Sequence, residues 1–202
     1  MSWLARLLRR SALGPGSGVG DALVHLAEAW LAQGVAETDG SNAGPDVSWL
    51  IHDGGGTPGS RPPWCAYFIS SACRQIERAG MVIEYARTGR AVAHWQSAPP
   101  GRQLRPDQIW TADPRGLVMI RTRVSRAVTD AEAARGGAKR QGHVALVTAV
   151  DPVARTIDLI AGNSTGRGHS RVPGGGAVAR ERITAGDEAW DRLVGFVRVA
   201  AP

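Results

Sequence analysis

The apolar residues of this 202-residue chain change rhythm once along its length, and that change limits the folds open to it. Up to about Gly80 they recur at helical spacing. "DALVHLAEAWLAQG" (21–34) has an Asp cap, one apolar face and a Gly stop, and "VSWLIHDGGG" begins a second, shorter helix. From Gly116 onward they come in short, β-branched runs: "GLVMIRT" (116–122), "HVALVTAV" (143–150), "TIDLIAGN" (156–163) and "LVGFVRVA" (193–200). Helices first and a predominantly antiparallel sheet after them make an α+β layout. "RAVAHWQSAPPGRQL" between the two halves reads as mostly irregular, and "AVTDAEAARGGAKRQ" (127–141) as a polar insertion with room for one helical turn. No internal repeat is present.

Both cysteines fall in "RPPWCAYFISSACRQI" (61–76). Pro62 and Pro63 suit the start of a helix, whose first turn needs no proline N–H. Phe68, Ile69, Ala72, Ile76 and Ala79 then recur at helical spacing, with Gly80 as the stop. Cys65 therefore sits in the first turn and Cys73 two turns later. Eight residues of helix rise about 12 Å, beyond the roughly 7 Å that a disulfide spans between Cα atoms. The thiols are thus separate. Cys73, on the buried stripe, reads as a small core residue. Cys65 lies where helix N–H groups and the helix dipole favour a thiolate. A cysteine there is structural unless a histidine, itself oriented by a third group, reaches it.

The length fits one domain with an appended tail: 1–20 as a basic amphipathic tail and linker, 21–202 as the domain. The net charge is +6, and Lys139 is the only lysine among 24 basic residues. Such a charge suits an anionic partner and equally suits a solvated basic surface. The arginines are scattered, and neither CxxC-type metal spacing nor an aromatic RNA-binding motif is present, so no nucleic acid is expected. No run approaches the ~18 apolar residues of a membrane span. "MSWLARLLRRSAL" (1–13) lacks the apolar stretch of a secretory signal. It suits contact with a membrane surface or a secretion partner, or docking on its own domain.

"QGHVALVTAVDPVARTIDLIAGNS" carries the histidine that Cys65 requires. "DPVAR" is a turn signal between two apolar runs, which predicts a hairpin. With a three-residue loop, Pro152 to Ala154, Asp151 pairs Arg155 and His143 falls opposite Asn163. Directly opposed side chains share a face about 5 Å apart, so Asn163 would hold the imidazole. An even-numbered loop would shift this register by one. His25, His52, His94 and His169 have no partner at comparable spacing.

With these pieces in place the chain resembles the CHAP domains (cysteine, histidine-dependent amidohydrolases/peptidases), papain-like cell-wall hydrolases. The resemblance is carried by "ETDGSNAGPDV", "PPWCAYFIS", "GHVALVTAV", "AGNS" and "GFVRV", in that order over roughly residues 30 to 200. It implies a papain-like α+β fold, with Cys65 as nucleophile, His143 as general base and Asn163 as orienter. Many CHAP domains also carry an acidic residue two positions before the asparagine; here that position is Ala161. Glu37 and Asn42 match the early motif and, with Trp64, are candidate substrate-binding residues. Trp64 suits a groove wall or a packed core, and Glu37 and Asn42 suit loop shaping first. "DGSNAG" begins like a calcium loop, but Ala43 and Leu50 stand where oxygen ligands are needed, so no metal and no cofactor are expected.

The expected activity is hydrolysis of amide bonds in peptidoglycan, as an N-acetylmuramoyl-L-alanine amidase or a peptide-crosslink endopeptidase, by a monomer. Lacking a signal peptide, such a protein would be made in the cytoplasm. It would reach the periplasm or cell wall by a phage-type lysis route or a dedicated secretion system. The alternative, prompted by Ala161, is a catalytically inactive basic adaptor or virion structural protein that binds a polyanion.

Overall fold

The computed structural model describes residues 18–123, 142–165 and 175–199. The expectations for the 1–13 helix, most of the linker, the polar insertion 127–141 and His169 lie outside the described residues. Among the described residues four helices come first: α1 (Val19–Ala32), α2 (Pro45–Asp53), α3 (Cys65–Arg78) and α4 (Ala91–Ser97). Then follow β1 (Gln103–Leu104), β2 (Leu117–Thr122), β3 (Gly142–Asp151), β4 (Thr156–Ser164), β5 (Ala177–Thr184), the single turn α5 (Glu188–Asp191) and β6 (Leu193–Arg198). The strands form one six-stranded sheet in the order β1-β6-β2-β3-β4-β5, antiparallel throughout. The architecture is therefore α+β, helices first.

Among the elements that depart from the sequence reading are α4 and β5. α4 occupies part of the stretch expected to be irregular, because Ala91, Val92 and Trp95 bury against the sheet. β5 is an additional strand, and its middle is the charged run Arg180-Glu181-Arg182.

Strand alternation builds two cores. Val118, Ile120, Val144, Leu146 and Ile160 face the helices and pack with Leu23, Leu26, Trp30, Phe68 and Ile69. The alternate residues Leu117, Met119, Ala145, Val147, Leu159 and Ile183 form a second cluster with Ile109 and Phe196. Trp110 and Trp190 stack beside it at 5.2 Å, with the Arg155 guanidinium 4.6 Å from the Trp110 ring centre.

α3 is the helix that positions the site. Its first helical residue is Cys65, and the two prolines lie just before it with Trp64 at the cap. It ends in a Schellman turn: Gly80, at φ 95°, donates to Glu77 O, and Met81 N–H donates to Ile76 O. Buried Asp53 ties α2 to it, accepting from Ser71 Oγ (2.6 Å), Gln75 Nε2 (2.7 Å) and Arg78 (2.5 Å). α3 also crosses β4 closely at Gly162, where an added side-chain carbon would stand 2.6 Å from Phe68 Cβ. No described helix is long and apolar enough to cross a membrane.

The β3–β4 hairpin is present, but its loop has four residues, not three. Asp151 pairs Thr156, and Asp151 Oδ1 accepts the N–H groups of Val153 and Ala154 at 2.9 and 2.8 Å. The fourth residue, Arg155, closes the turn at φ 56°. A bulge at Thr148 then absorbs the extra residue, so Val147 pairs Leu159 and Leu146 pairs Ile160. The expected register is one residue out at the turn and matches at Val147–Leu159 and Leu146–Ile160, where the paired residues end short of His143 and Asn163.

Candidate active site

Cys65 opens α3 at the positive end of the helix. The first N–H to close a helical turn is that of Phe68, on Trp64 O at 2.9 Å. The N–H groups of Cys65, Ala66 and Tyr67 therefore have no acceptor within the helix. Across from the helix start stands His143, the second residue of β3, whose imidazole favours an ionised sulfur. Its Nε2 lies 3.0 Å from Glu181 Oε1, which leaves Nδ1 to serve Cys65. Arg121, the β2 partner of His143, donates to Glu181 Oε2 at 3.1 Å. The Ser164 hydroxyl bonds the same carboxylate. Arg121, His143 and Glu181 continue the alternation of the second core, so its apolar row becomes a polar one next to the cysteine.

The charges support one another. Burial works against an ionised sulfur, but the hydrogen bond and charge of His143, the N–H of Val144 and the charge of Arg123 outweigh it, and the Cys65 thiol is held below its ordinary value. Burial likewise opposes a charged imidazole, yet hydrogen bonds to Cys65 and Glu181 and their negative charge carry His143 up to about 9. Burial alone would raise Glu181; His143, Arg121 and Ser164 bring it down instead, to about 2. These directions describe a thiolate–imidazolium pair backed by a carboxylate. Cys73, by contrast, is fully buried and pushed upward by desolvation, as a core thiol is. His94 is pushed down to about 4 by burial and stacks on Tyr85 at 5.0 Å.

Asn163 does not hold the imidazole. The strand breaks there: Asn163 takes φ 54°, and the β4–β5 register shifts between Ala161 and Ser164. With its amide turned to suit its neighbours, its nitrogen donates to Glu37 Oε1 (3.2 Å) and its oxygen accepts from Trp64 N–H (3.1 Å). It thus fixes the peptide leading into Cys65, while Glu181 takes the place expected for it beside His143.

The three candidate substrate residues are structural as well. Trp64 is wholly buried, and its Nε1 donates to Glu37 Oε1 at 3.0 Å. Glu37 is buried, and its Oε2 accepts the N–H of Asn42 at 3.0 Å. Asn42, at φ 55°, reaches Arg61 O with its side chain at 3.3 Å. Glu37 thereby joins the early loop, the helix start and β4. Replacing Glu37 with Ala should cost about 2–4 kcal/mol in urea unfolding, because the Trp64 and Asn163 donors lose a buried acceptor. Glu37→Gln, which keeps one acceptor oxygen, should cost less, and equal losses would speak against this account.

Beside His143 lies a cavity of about 740 Å³, bordered by His143, Glu181, Asn163 and several arginines, with Cys65 not among its lining residues. Among the described residues no group of three or more His, Cys, Asp or Glu is placed to hold a metal ion.

Glu181 was absent from the sequence reading because "AVARERIT" has no apolar run. Its faint signal is the alternation of Ala179 and Ile183 around Glu181, which puts one carboxylate on the apolar face of the strand. No protein-family model, no curated protein and no solved structure matches this chain.

Proposed function

We propose that this protein is a thiol-dependent amide hydrolase of papain-like CHAP type, acting on peptidoglycan. The observation that carries the reading is the 3.0 Å contact of His143 Nε2 with Glu181, next to a helix-start Cys65 whose thiol His143 holds low. A cysteine at a helix start, a histidine bonded to it, and a carboxylate fixing that histidine are what acyl transfer to sulfur requires. The sequence motifs direct the reading to peptidoglycan, and the charge of +6 suits an anionic wall. Ala161, which favoured a non-catalytic adaptor, is compensated in this reading by Glu181 from the neighbouring strand.

The steps follow from the charges. Cys65 Sγ attacks the carbonyl carbon, and the carbonyl oxygen becomes an oxyanion that N–H groups at the start of α3, without acceptors inside the helix, stabilise. The C–N bond then breaks, and the departing nitrogen takes the proton from His143. Water, deprotonated by the now neutral His143, attacks the thioester and releases the carboxylic acid and the thiolate. Glu181 keeps Nε2–H directed away from the sulfur and stabilises the imidazolium in both halves. The site of action in this reading is the periplasm or cell wall, reached by lysis or secretion. The protein is tested in a zymogram on purified peptidoglycan, with mass spectrometry of the released fragments. New amino and carboxyl ends at one type of amide are expected, and they also distinguish amidase from endopeptidase. Intact peptidoglycan after incubation with folded protein would refute the reading.

A further inference from the structure

We propose that the cavity on the His143 flank is a subsite for a carboxylate carried on the amine side of the cleaved amide. The proposal rests on the hydrolase reading and specifies the leaving half of its substrate. In that reaction the acyl half stays on Cys65 Sγ, while the leaving nitrogen must come within reach of the proton on His143. The cavity borders His143 and Glu181, and Cys65 is not on its wall. It is therefore placed for the amine half.

Its wall selects for negative charge. Five arginines line it against two glutamates. Arg180 and Arg182 have acidic partners outside the set, Glu28 and Asp158, and Arg121 is engaged with Glu181. Arg192 differs. Its carboxylate partner, Glu188, is 75% exposed, so solvent weakens that pair. The Nε of Arg192 is buried without a hydrogen-bond partner. On the same wall Thr122 has a buried hydroxyl that also lacks one. Two unmatched donors beside several guanidinium groups call for an acceptor that brings negative charge, and a carboxylate meets a guanidinium with parallel hydrogen bonds. A cationic substituent would leave these donors unmet, and a neutral carbonyl would meet them without balancing the guanidinium charge. The anchor is rigid, since Arg192 O accepts Thr122 N–H at 3.0 Å at the junction of β2 and β6.

The test is direct binding, which needs no turnover and therefore stands or falls separately from the zymogram. Calorimetric titration of the full chain with the dipeptide alanylglutamate, and with its diamide, compares a charged and a neutral amine-side fragment. The dipeptide should bind about tenfold or more tightly than the diamide. Arg192→Gln should remove that preference, and Arg192→Lys should restore part of it, with circular dichroism confirming that both variants fold. Equal binding of dipeptide and diamide, no binding of either, an Arg192→Gln variant that keeps the preference, or tighter binding of inorganic phosphate than of the dipeptide would each overturn the proposal.

Discussion

Replacing Cys65 with Ser is expected to lower peptidoglycan hydrolysis by about 10⁴-fold or more while leaving the fold in place. The size of the effect follows from the site: helix start, His143 and Val144 N–H all act on the sulfur to keep it ionised. A serine hydroxyl in their midst stays protonated at neutral pH and is a poor nucleophile. Cys73→Ala provides the contrast. That thiol is fully buried among core residues and held protonated by desolvation. Its loss should cost about 1 kcal/mol of stability and little activity. Labelling by iodoacetamide at pH 6 should fall on Cys65, and initial rates on soluble muropeptides should separate the two variants. Equal loss of activity in two folded proteins would end the division of labour between the thiols.

The placement of the two thiols was legible in the sequence because it depends on local chemistry. A proline pair, a helical stripe and two cysteines eight residues apart are enough to place one thiol at a helix start and the other in a core. His143 was legible for a similar reason, since an apolar run with a turn after it marks a strand whose second residue is the histidine. What stayed hidden was non-local. The turn holds four residues, and a bulge at Thr148 corrects the register; neither leaves a clear sign in "TAVDPVART". Asn163 was placed in the correct strand and given the wrong neighbour. Its left-handed backbone swings the amide to Glu37 and Trp64, away from His143. Trp64 suited a groove wall or a packed core, and Glu37 suited loop shaping before substrate binding. Here each satisfies the other's buried polar group. Glu181 lies 38 residues from His143 in a strand with a charged centre. Only the pairing of β5 with β4 brings it into reach.

Glu181→Gln is the substitution that tests this non-local part of the site, and its effect should be seen in the pH profile as well as the rate. Gln retains an oxygen to accept from Nε2–H, so the ring keeps its orientation and the fold should survive. What disappears is the negative charge that stabilises the imidazolium, and kcat/KM should fall on the order of 10²- to 10⁴-fold. The active form needs Cys65 ionised and His143 protonated. Activity in the unaltered protein should therefore rise with pH as the thiol ionises and fall again as His143 loses its proton near pH 9. Glu181 is one of the groups that raise the His143 value. Removing its charge lowers that value, so the alkaline limb should move toward lower pH by about 1–3 units. The Arg121 guanidinium, left without its carboxylate partner, pushes in the same direction. Asn163→Ala should leave the alkaline limb where it is, because its amide is engaged with Glu37 and Trp64 and not with the imidazole. Profiles measured on a short soluble substrate avoid the contribution of wall binding. An alkaline limb that moves in Asn163→Ala and stays fixed in Glu181→Gln would return the orienting role to the asparagine and remove Glu181 from the catalytic set.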